Sequence, residues 1–469
     1  MFILRRYAAL AIPALLLNQA CGDDNPITPG TGGNGGVGST SSAGSTTDTA
    51  TSTGSTGGGT GTGGALPAAP DLDPKLLWYG TNREALDTMI DERGVNGAGY
   101  DPAHKPVAAF DWDNTTIKND IGDLTTFWLL AHDKILQPPA KTWTLTSPFL
   151  TSDAAAALTA ACGGLAAPGE PLPTSTNTAC ADEILSVYSS GATTGAKTAF
   201  AAWNYRTMDP TYAWAAQLTA GYTPKEVAAF AQQALDAALA APLDATQTVG
   251  TKTVNAYARI YDQTSNLIDV LQKNGFDVWV VSASPQYVVE PFAARVNVAS
   301  DHVIGIRALL DAGGKLTYNI EGCGVVPDGT NDGAGTFTGN SLITYIDGKR
   351  CWINRVIFGD KTAKAADQNP DPKLRIAFGA GDSDTDVSFL RDATAMKLVI
   401  NRNKNELMCN AYNNYGKKWL INPMFISPKA QLATPYACSK TACKDKDGAS
   451  GPCLDEGTTL IPDQQDTVF

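Results

Sequence analysis

The chain has 469 residues, with 47 acidic and 35 basic side chains and a formal net charge of −12 at pH 7. The length allows two to three domains, and an acidic chain with no basic run argues against nucleic acid and anionic lipid as partners. There are nine cysteines and three histidines. No Cys-x-x-Cys pair occurs, and His104, His132 and His302 stand apart, so a zinc site is not expected.

Residues 1–20 read as a secretory signal peptide. Arg5 and Arg6 make a basic start, and Tyr7 to Leu17 form an apolar run too short to span a bilayer. Cys21 follows Ala20 in an arrangement similar to the bacterial lipobox. It implies an exported lipoprotein, held at a membrane only through a lipid on Cys21. Residues 21–68 are rich in Gly, Ser and Thr and read as a disordered tether with nothing to bury. Eight further cysteines remain, an even number suited to disulfides in an exported protein. Cys162 and Cys180 flank one Gly-rich loop and are expected to pair. Cys323 and Cys351 flank another and are expected to pair. Cys409, Cys438, Cys443 and Cys453 allow three connectivities.

Leu76, Leu77, Trp78, Leu86, Met89 and Ile90 mark a helical segment between Pro70 and Arg93. Val107 to Phe110 reads as a buried strand that runs into Asp111-x-Asp113-x-Thr115. Residues i and i+2 of a strand face the same way, so the two carboxylates repel unless a cation lies between them. A hard divalent ion such as Mg²⁺ meets that need; a solvated Asp pair or an Asx turn is the other reading of this stretch alone. From 117 to about 265 the apolar positions recur mostly at helical spacing, with 162–197 loop-like. Val278-Trp279-Val280-Val281 is a second buried strand, leaving through Ser282-Ala283-Ser284-Pro285, and Val288 to Val296 a helix. Short strands are expected over 303–310 and 315–320, and a loop over 331–339. Lys361 opens a helix after Gly359-Asp360. A third core strand, 374–382, runs into Gly381-Asp382-Ser383-Asp384-Thr385-Asp386, and 397–400 is a fourth. Strands alternating with helices predict a parallel α/β sheet with its chemistry at the carboxyl ends of the strands. The tail from 431 is Cys-bearing with Lys/Asp/Gly runs, has little to pack and is expected to be stapled by disulfides.

In order, Asp111-x-Asp113-x-Thr115, Ser282, Lys361 and Gly381-Asp382-Ser383-Asp384-Thr385-Asp386 resemble the motif set of the haloacid-dehalogenase-like (HAD) phosphohydrolase superfamily, over about 105–116 and 266–405. Within it, the long segment between the first and second motifs resembles the phosphoserine-phosphatase-like branch. The export signal, Trp78 and Asp-x-Asp-Asn-Thr are similar to phosphorylcholine phosphatases. The resemblance implies a Rossmann-like parallel-sheet core (69–116 and 266–430), a large mainly helical cap inserted between the first two motifs (117–265), and a Cys-bearing tail (431–469).

It also implies roles. Asp111 would be the nucleophile that forms an aspartyl phosphate, and Asp113 the acid and base for the leaving alkoxide and the attacking water. Thr115 and Ser282 would donate to phosphoryl oxygens. Lys361, or Lys364 one turn on, would hold nucleophile and phosphate. Mg²⁺ would sit on Asp111, the Asp113 carbonyl, Asp382 and Asp386. Asp120 would either contact a cationic head group or cap the next helix. The expected activity is Mg²⁺-dependent hydrolysis of a small phosphate ester, phosphorylcholine or phosphoserine. The rivals are a non-catalytic surface binding protein on this scaffold and a phosphoprotein or anhydride phosphatase. The oligomeric state is left open.

Overall fold

The computed structural model describes residues 69–323 and 342–469. The expected signal peptide, Cys21, the tether and the loop at 331–339 lie outside the described residues. Six parallel strands form the central sheet: β1 (Val107–Phe110), β2 (Asp277–Pro285), β3 (Val303–Ile306), β4 (Phe378–Gly381), β5 (Met396–Asn401) and β6 (Trp419–Pro423), in the order β6-β5-β4-β1-β2-β3. The four strands read from the sequence are all here. β6 is added at one edge, in register with β5 from Lys397↔Trp419 to Asn401↔Pro423.

The strands are buried on both faces, and side chains that alternate along them feed two apolar layers. Ala108, Phe110, Val278 and Val280 pack on one side with Leu86, Met89 and Ile90 of α1 (Asn82–Arg93). Val107, Ala109, Trp279 and Val281 pack on the other.

After β1 the chain first makes five α-helices: α2 (Ile121–Ala131), α3 (Ser152–Cys162), α4 (Thr178–Ser190), α5 (Pro210–Gln217) and α6 (Pro224–Ala240). A hairpin over Thr246–Val249 and Lys252–Asn255 follows, and then α7 (Asp262–Lys273) returns the chain to the sheet. α4 falls inside the stretch read as a loop. Its Gly- and Pro-rich flanks hide a helix that Asn177 caps by accepting from the Cys180 N–H, and that buries Ala181, Ile184, Leu185, Val187 and Tyr188. α6 begins with a full capping box between Thr223 and Glu226.

After β2 come α8 (Gln286–Ala293), β3, the hairpin Ala308–Leu310 with Leu316–Ile320, and α9 (Asp347–Val356). α10 (Val387–Asp392) and α11 (Asn405–Asn413) follow β4 and β5 and cover the second layer together with α9. The stretch read as a helix from Lys361 is only a short 3₁₀ turn, Ala363–Ala366. Among the described residues no helix is long and apolar enough to cross a membrane.

Four disulfides are present: Cys162–Cys180, Cys323–Cys351, Cys409–Cys438 and Cys443–Cys453. The first two are the pairs expected from the sequence. The last two choose one of the three open connectivities; Cys409–Cys438 ties the tail to α11, and Cys443–Cys453 closes a loop within the tail. The tail packs more than its composition suggests, since Tyr436, Cys438, Cys453 and Ile461 are buried in the second layer. Disulfides of this kind suit an oxidising compartment.

Replacing Cys409 and Cys438 together with Ser should lower unfolding stability by roughly 2–5 kcal/mol, read as a fall in the urea midpoint under non-reducing conditions. An unchanged midpoint would show that this bridge adds nothing to the tail's packing.

Candidate active site

β1 ends where the chain stops pairing with β2 but still donates the Asp111 N–H to Ala380 O of β4 (2.9 Å). The chain then folds back on itself. Thr116 N–H donates to Trp112 O (2.8 Å), and the Thr116 hydroxyl donates to Asp111 O (3.0 Å). Asn114 adopts a left-handed φ of 58° and accepts from the Asn119 N–H with Oδ1, a conformation Asn tolerates well. This return brings Thr115 back beside Asp111. The Thr115 hydroxyl lies 3.1 Å from Asp111 Oδ2 and 2.9 Å from Asp382 Oδ1. One hydroxyl proton cannot serve two carboxylates at once, so the pair still lacks positive charge at this point.

Most of the charge comes from a lysine the sequence reading passed over. Lys349, fully buried on α9, places Nζ 2.6 Å from Asp111 Oδ1 and 2.6 Å from Asp386 Oδ1. Burial alone would lower its pKa, but Asp111 and Asp386 overcome that and raise it. Lys361 and Lys364 are exposed and stand outside this cluster. Lys361 follows Gly359-Asp360 in a segment that makes no helix, so nothing turns it inward.

Three features deliver Lys349. Gly348 sits so close to Ile343 that a Cβ there would lie 1.8 Å from Ile343 O. Buried Ile346, just before α9, takes φ 44° and ψ −107°, a costly conformation for a β-branched residue. Arg206 from the insertion grips Asp347 through Nε (3.1 Å) and Nη2 (3.0 Å) and reaches Glu406 of α11 through Nη1 (2.9 Å).

Asp382 and Asp386 follow β4. Asp386 Oδ2 accepts the Asp382 and Ser383 N–H groups (2.9 and 3.0 Å). Gly381 allows this, because a Cβ there would fall 2.6 Å from the Asp386 carboxylate. Asp111, Asp382 and Asp386 each bring a carboxylate oxygen within 4.8 Å of the others, all buried. Burial first, and then Asp386, push the Asp111 carboxyl well above the usual carboxylate range, against the pull of Lys349. A trio of hard oxygen donors short of positive charge fits a small divalent cation.

Asp113 turns away from this trio. Its Oδ1 accepts the Ile121 N–H at the start of α2 (2.7 Å), and its Oδ2 accepts from the Ser284 hydroxyl (2.8 Å) and, more weakly, that of Ser282 (3.3 Å). Burial, then Asp120, raise its pKa well above the usual range. Ser282 is completely buried beneath the cavity. Ser284, two residues on and on the same strand face, makes the shorter contact; that spacing was its signal in the sequence. Asp120 does two things: it caps α2 by accepting the Asp123 N–H (2.9 Å), and it lines the cavity.

The cavity holds about 230 Å³ above these groups. Its floor is Asp111, Asp113 and Asp382. The insertion supplies one wall with Phe200, Trp203, Tyr205, Asp209 and Tyr212. The tail supplies another with Thr441, Ala442, Lys444 and Ser450, and Arg402 and Lys404 close a third side. Trp203, Tyr205 and Tyr212 thus face the cavity, while Trp214 and Tyr261 are packed in the core. The tail is pinned there by the Tyr205 N–H donating to Lys446 O (2.8 Å) and by Lys444 Nζ standing 4.8 Å over the Tyr205 ring.

A family model described as haloacid dehalogenase-like hydrolase matches residues 189–391. The matched range takes in β2, β3 and β4 with Asp382 and Asp386 and reaches back into the insertion, while Asp111 and Asp113 lie before it. No curated protein matches the sequence. Among solved structures, a conserved protein of unknown function from Anaerococcus prevotii is similar at 20% identity and a TM-score of 0.54, over 75% of this chain and 94% of that one. That likeness speaks for the fold alone. A protein of unknown function from Bordetella pertussis (14% identity, TM-score 0.39, 68% and 98% covered) and a phosphoserine phosphatase (13%, 0.28, 63% and 86%) are more distant.

Lys349→Met should leave Asp111 and Asp386 without their shared cation, whereas Lys361→Met should leave both undisturbed. The expected outcome is at least a hundredfold loss of hydrolase activity for Lys349→Met and wild-type rates for Lys361→Met, with both proteins checked for folding by circular dichroism. The reverse pattern would return the role to Lys361.

Proposed function

We propose that this chain is a Mg²⁺-dependent phosphomonoesterase that hydrolyses a small phosphate ester through an aspartyl phosphate. One observation carries the reading: Asp111 ends the central strand with Lys349 Nζ at 2.6 Å and opens into a cavity shared with Asp113 and Asp382. Asp111 attacks phosphorus as the ester P–O bond breaks, and Asp113 gives its proton to the departing alkoxide oxygen. Asp113 Oδ1 is occupied by the Ile121 N–H, so the transferred proton belongs on Oδ2, beside hydroxyls that can rotate to accept it. A carboxyl with a raised pKa suits that donor. Asp113 then takes a proton from water, which attacks the aspartyl phosphate and releases phosphate. Lys349 keeps Asp111 oriented throughout. Asp111 and Asp382, with Asp386 behind them and the Asp113 carbonyl, would hold Mg²⁺, which neutralises charge on the phosphoryl oxygens.

The insertion acts as a cap in this reading, and the small cavity selects small esters. Its aromatic wall together with Asp120 and Asp209 suits a cationic head group such as that of phosphorylcholine. Lys404 and Lys444 on the same cavity match the second sign carried by phosphoserine. The four disulfides support an exported protein, and the reading places it at a bacterial membrane through lipid on Cys21.

Purified protein should hydrolyse p-nitrophenyl phosphate with Mg²⁺ and lose that activity with EDTA. Ca²⁺ should not restore it, because a larger coordination shell lets both Asp111 oxygens bind metal. Asp111→Asn should abolish turnover while retaining the fold. Wild-type rates in Asp111→Asn would eliminate the mechanism.

Asn can still cap a helix, so Asp120→Asn separates the two jobs of that residue. The expected result is a KM for phosphorylcholine or phosphoserine raised about tenfold, with p-nitrophenyl phosphate little affected. Equal effects on cationic and neutral esters would leave Asp120 as a cap alone.

A further inference from the structure

Arg402 is a buried cation at the cavity that the scheme above does not use. It leaves the carboxyl end of β5, next to the strand that presents Asp382, and its side chain is only 9% exposed. The loop that carries it is fixed: the Asn403 N–H donates to Asn401 Oδ1 (2.8 Å), and the Asn401 side-chain amide donates to Asp466 Oδ1 (3.0 Å) and Val468 O (2.6 Å) of the tail. Nη1 lies 2.6 Å from Asp382 Oδ2. A buried arginine held for a carboxylate alone tends to engage it with both arms of its fork. Here one nitrogen does so, and the buried Nε has no hydrogen-bond partner among the described residues.

The charge around it makes this placement informative. Lys349 is committed to Asp111 and Asp386, both at 2.6 Å. A phosphate dianion that approaches Asp111 therefore meets Asp111, Asp113 and Asp382 on the floor, and Arg402, a cation that lines the cavity, is bonded to that floor through Asp382. A buried guanidinium with unspent donors is costly unless an anion takes them. Orientation of Asp382 through Nη1 also leaves Asp382 Oδ1, the oxygen beside Thr115, turned toward Asp111.

We propose that Arg402 is a substrate-binding residue that donates to an oxygen of the transferring phosphoryl group while it holds Asp382 in place. The inference rests on the phosphomonoesterase reading and adds to it a cation that the four sequence motifs do not contain.

The test is anion binding, separate from turnover. Inorganic phosphate is titrated by calorimetry into Asp111→Asn protein with saturating MgCl₂, with and without Arg402→Gln or Arg402→Lys. Mg²⁺ is titrated separately into the same proteins without phosphate. Loss of one charge-assisted hydrogen bond predicts phosphate binding weakened roughly 10- to 100-fold in Arg402→Gln. Arg402→Lys, which keeps the charge but not the fork, should fall between the two. Mg²⁺ affinity should change by less than about threefold. Where Arg402→Gln does not fold, Arg402→Lys carries the comparison. Unchanged phosphate affinity overturns the proposal, and so does a loss that appears only as weaker Mg²⁺ binding, which would make Arg402 a positioning residue for Asp382. Wild-type protein that neither binds phosphate nor hydrolyses p-nitrophenyl phosphate overturns the phosphomonoesterase reading, and this one with it. Phosphate binding that survives in Arg402→Gln alongside normal wild-type hydrolysis overturns this one alone.

Discussion

The Lys349 ammonium between Asp111 and Asp386 is the contact on which the site depends. Two carboxylates brought to one point in a dry interior repel strongly, and neither would stay ionised there without a shared cation. Lys349 lets the ends of β1 and β4 converge instead of splaying. That convergence is what sets Asp111 against Asp382 and gathers carboxylate oxygens between adjacent strands. Removing one partner of such a cluster leaves an uncompensated buried charge, so the arrangement stands or falls as a unit.

A buried lysine has to be delivered by something rigid, and α9 is held from several directions. Arg206 pins its first residue to the insertion and to α11. Cys351, two residues after Lys349, is bonded to Cys323. The strained Ile346 is tolerated because these contacts over-determine the turn before the helix. The disulfide framework is therefore not remote from the chemistry.

This also explains what could be read in advance. Asp111 and Asp113 were legible because a buried strand with period-two geometry carries its chemistry at its end, and Asp382 and Asp386 because an acidic turn follows a similar strand. The parallel sheet followed from the same alternation. Lys349 was not legible. Its position in space comes from a glycine contact, a left-handed Ile346 and a long-range Arg206 pair, none of which has a local pattern. Lys361 drew attention because a Gly-Asp pair precedes it, yet that segment has too few apolar residues to pack as a helix. Ser284 stood in plain view two residues after Ser282, and only the geometry at Asp113 shows which hydroxyl lies closer. Tyr436, Cys438 and Ile461 explain why the tail packs: disulfides bring a few apolar residues to a layer that composition alone would not place them in.

The floor and the walls of the cavity have different origins. The floor residues sit at strand ends, where a one-residue shift would turn a carboxylate to the opposite face of the sheet, so their chemistry is tightly constrained by the fold. The walls come from the insertion, from the loop after β5 and from the tail, and the last two lie beyond the matched family region. Those walls meet through a few contacts: Arg206 with Asp347 and Glu406, Tyr205 with Lys446, and Asn401 with Asp466. A change in the tail can therefore reach Arg402 and the aromatic wall without touching Asp111. In the proposed phosphomonoesterase, selection among esters would accordingly be a property of how the tail and insertion are held together, while phosphoryl transfer would belong to the strand ends beneath them.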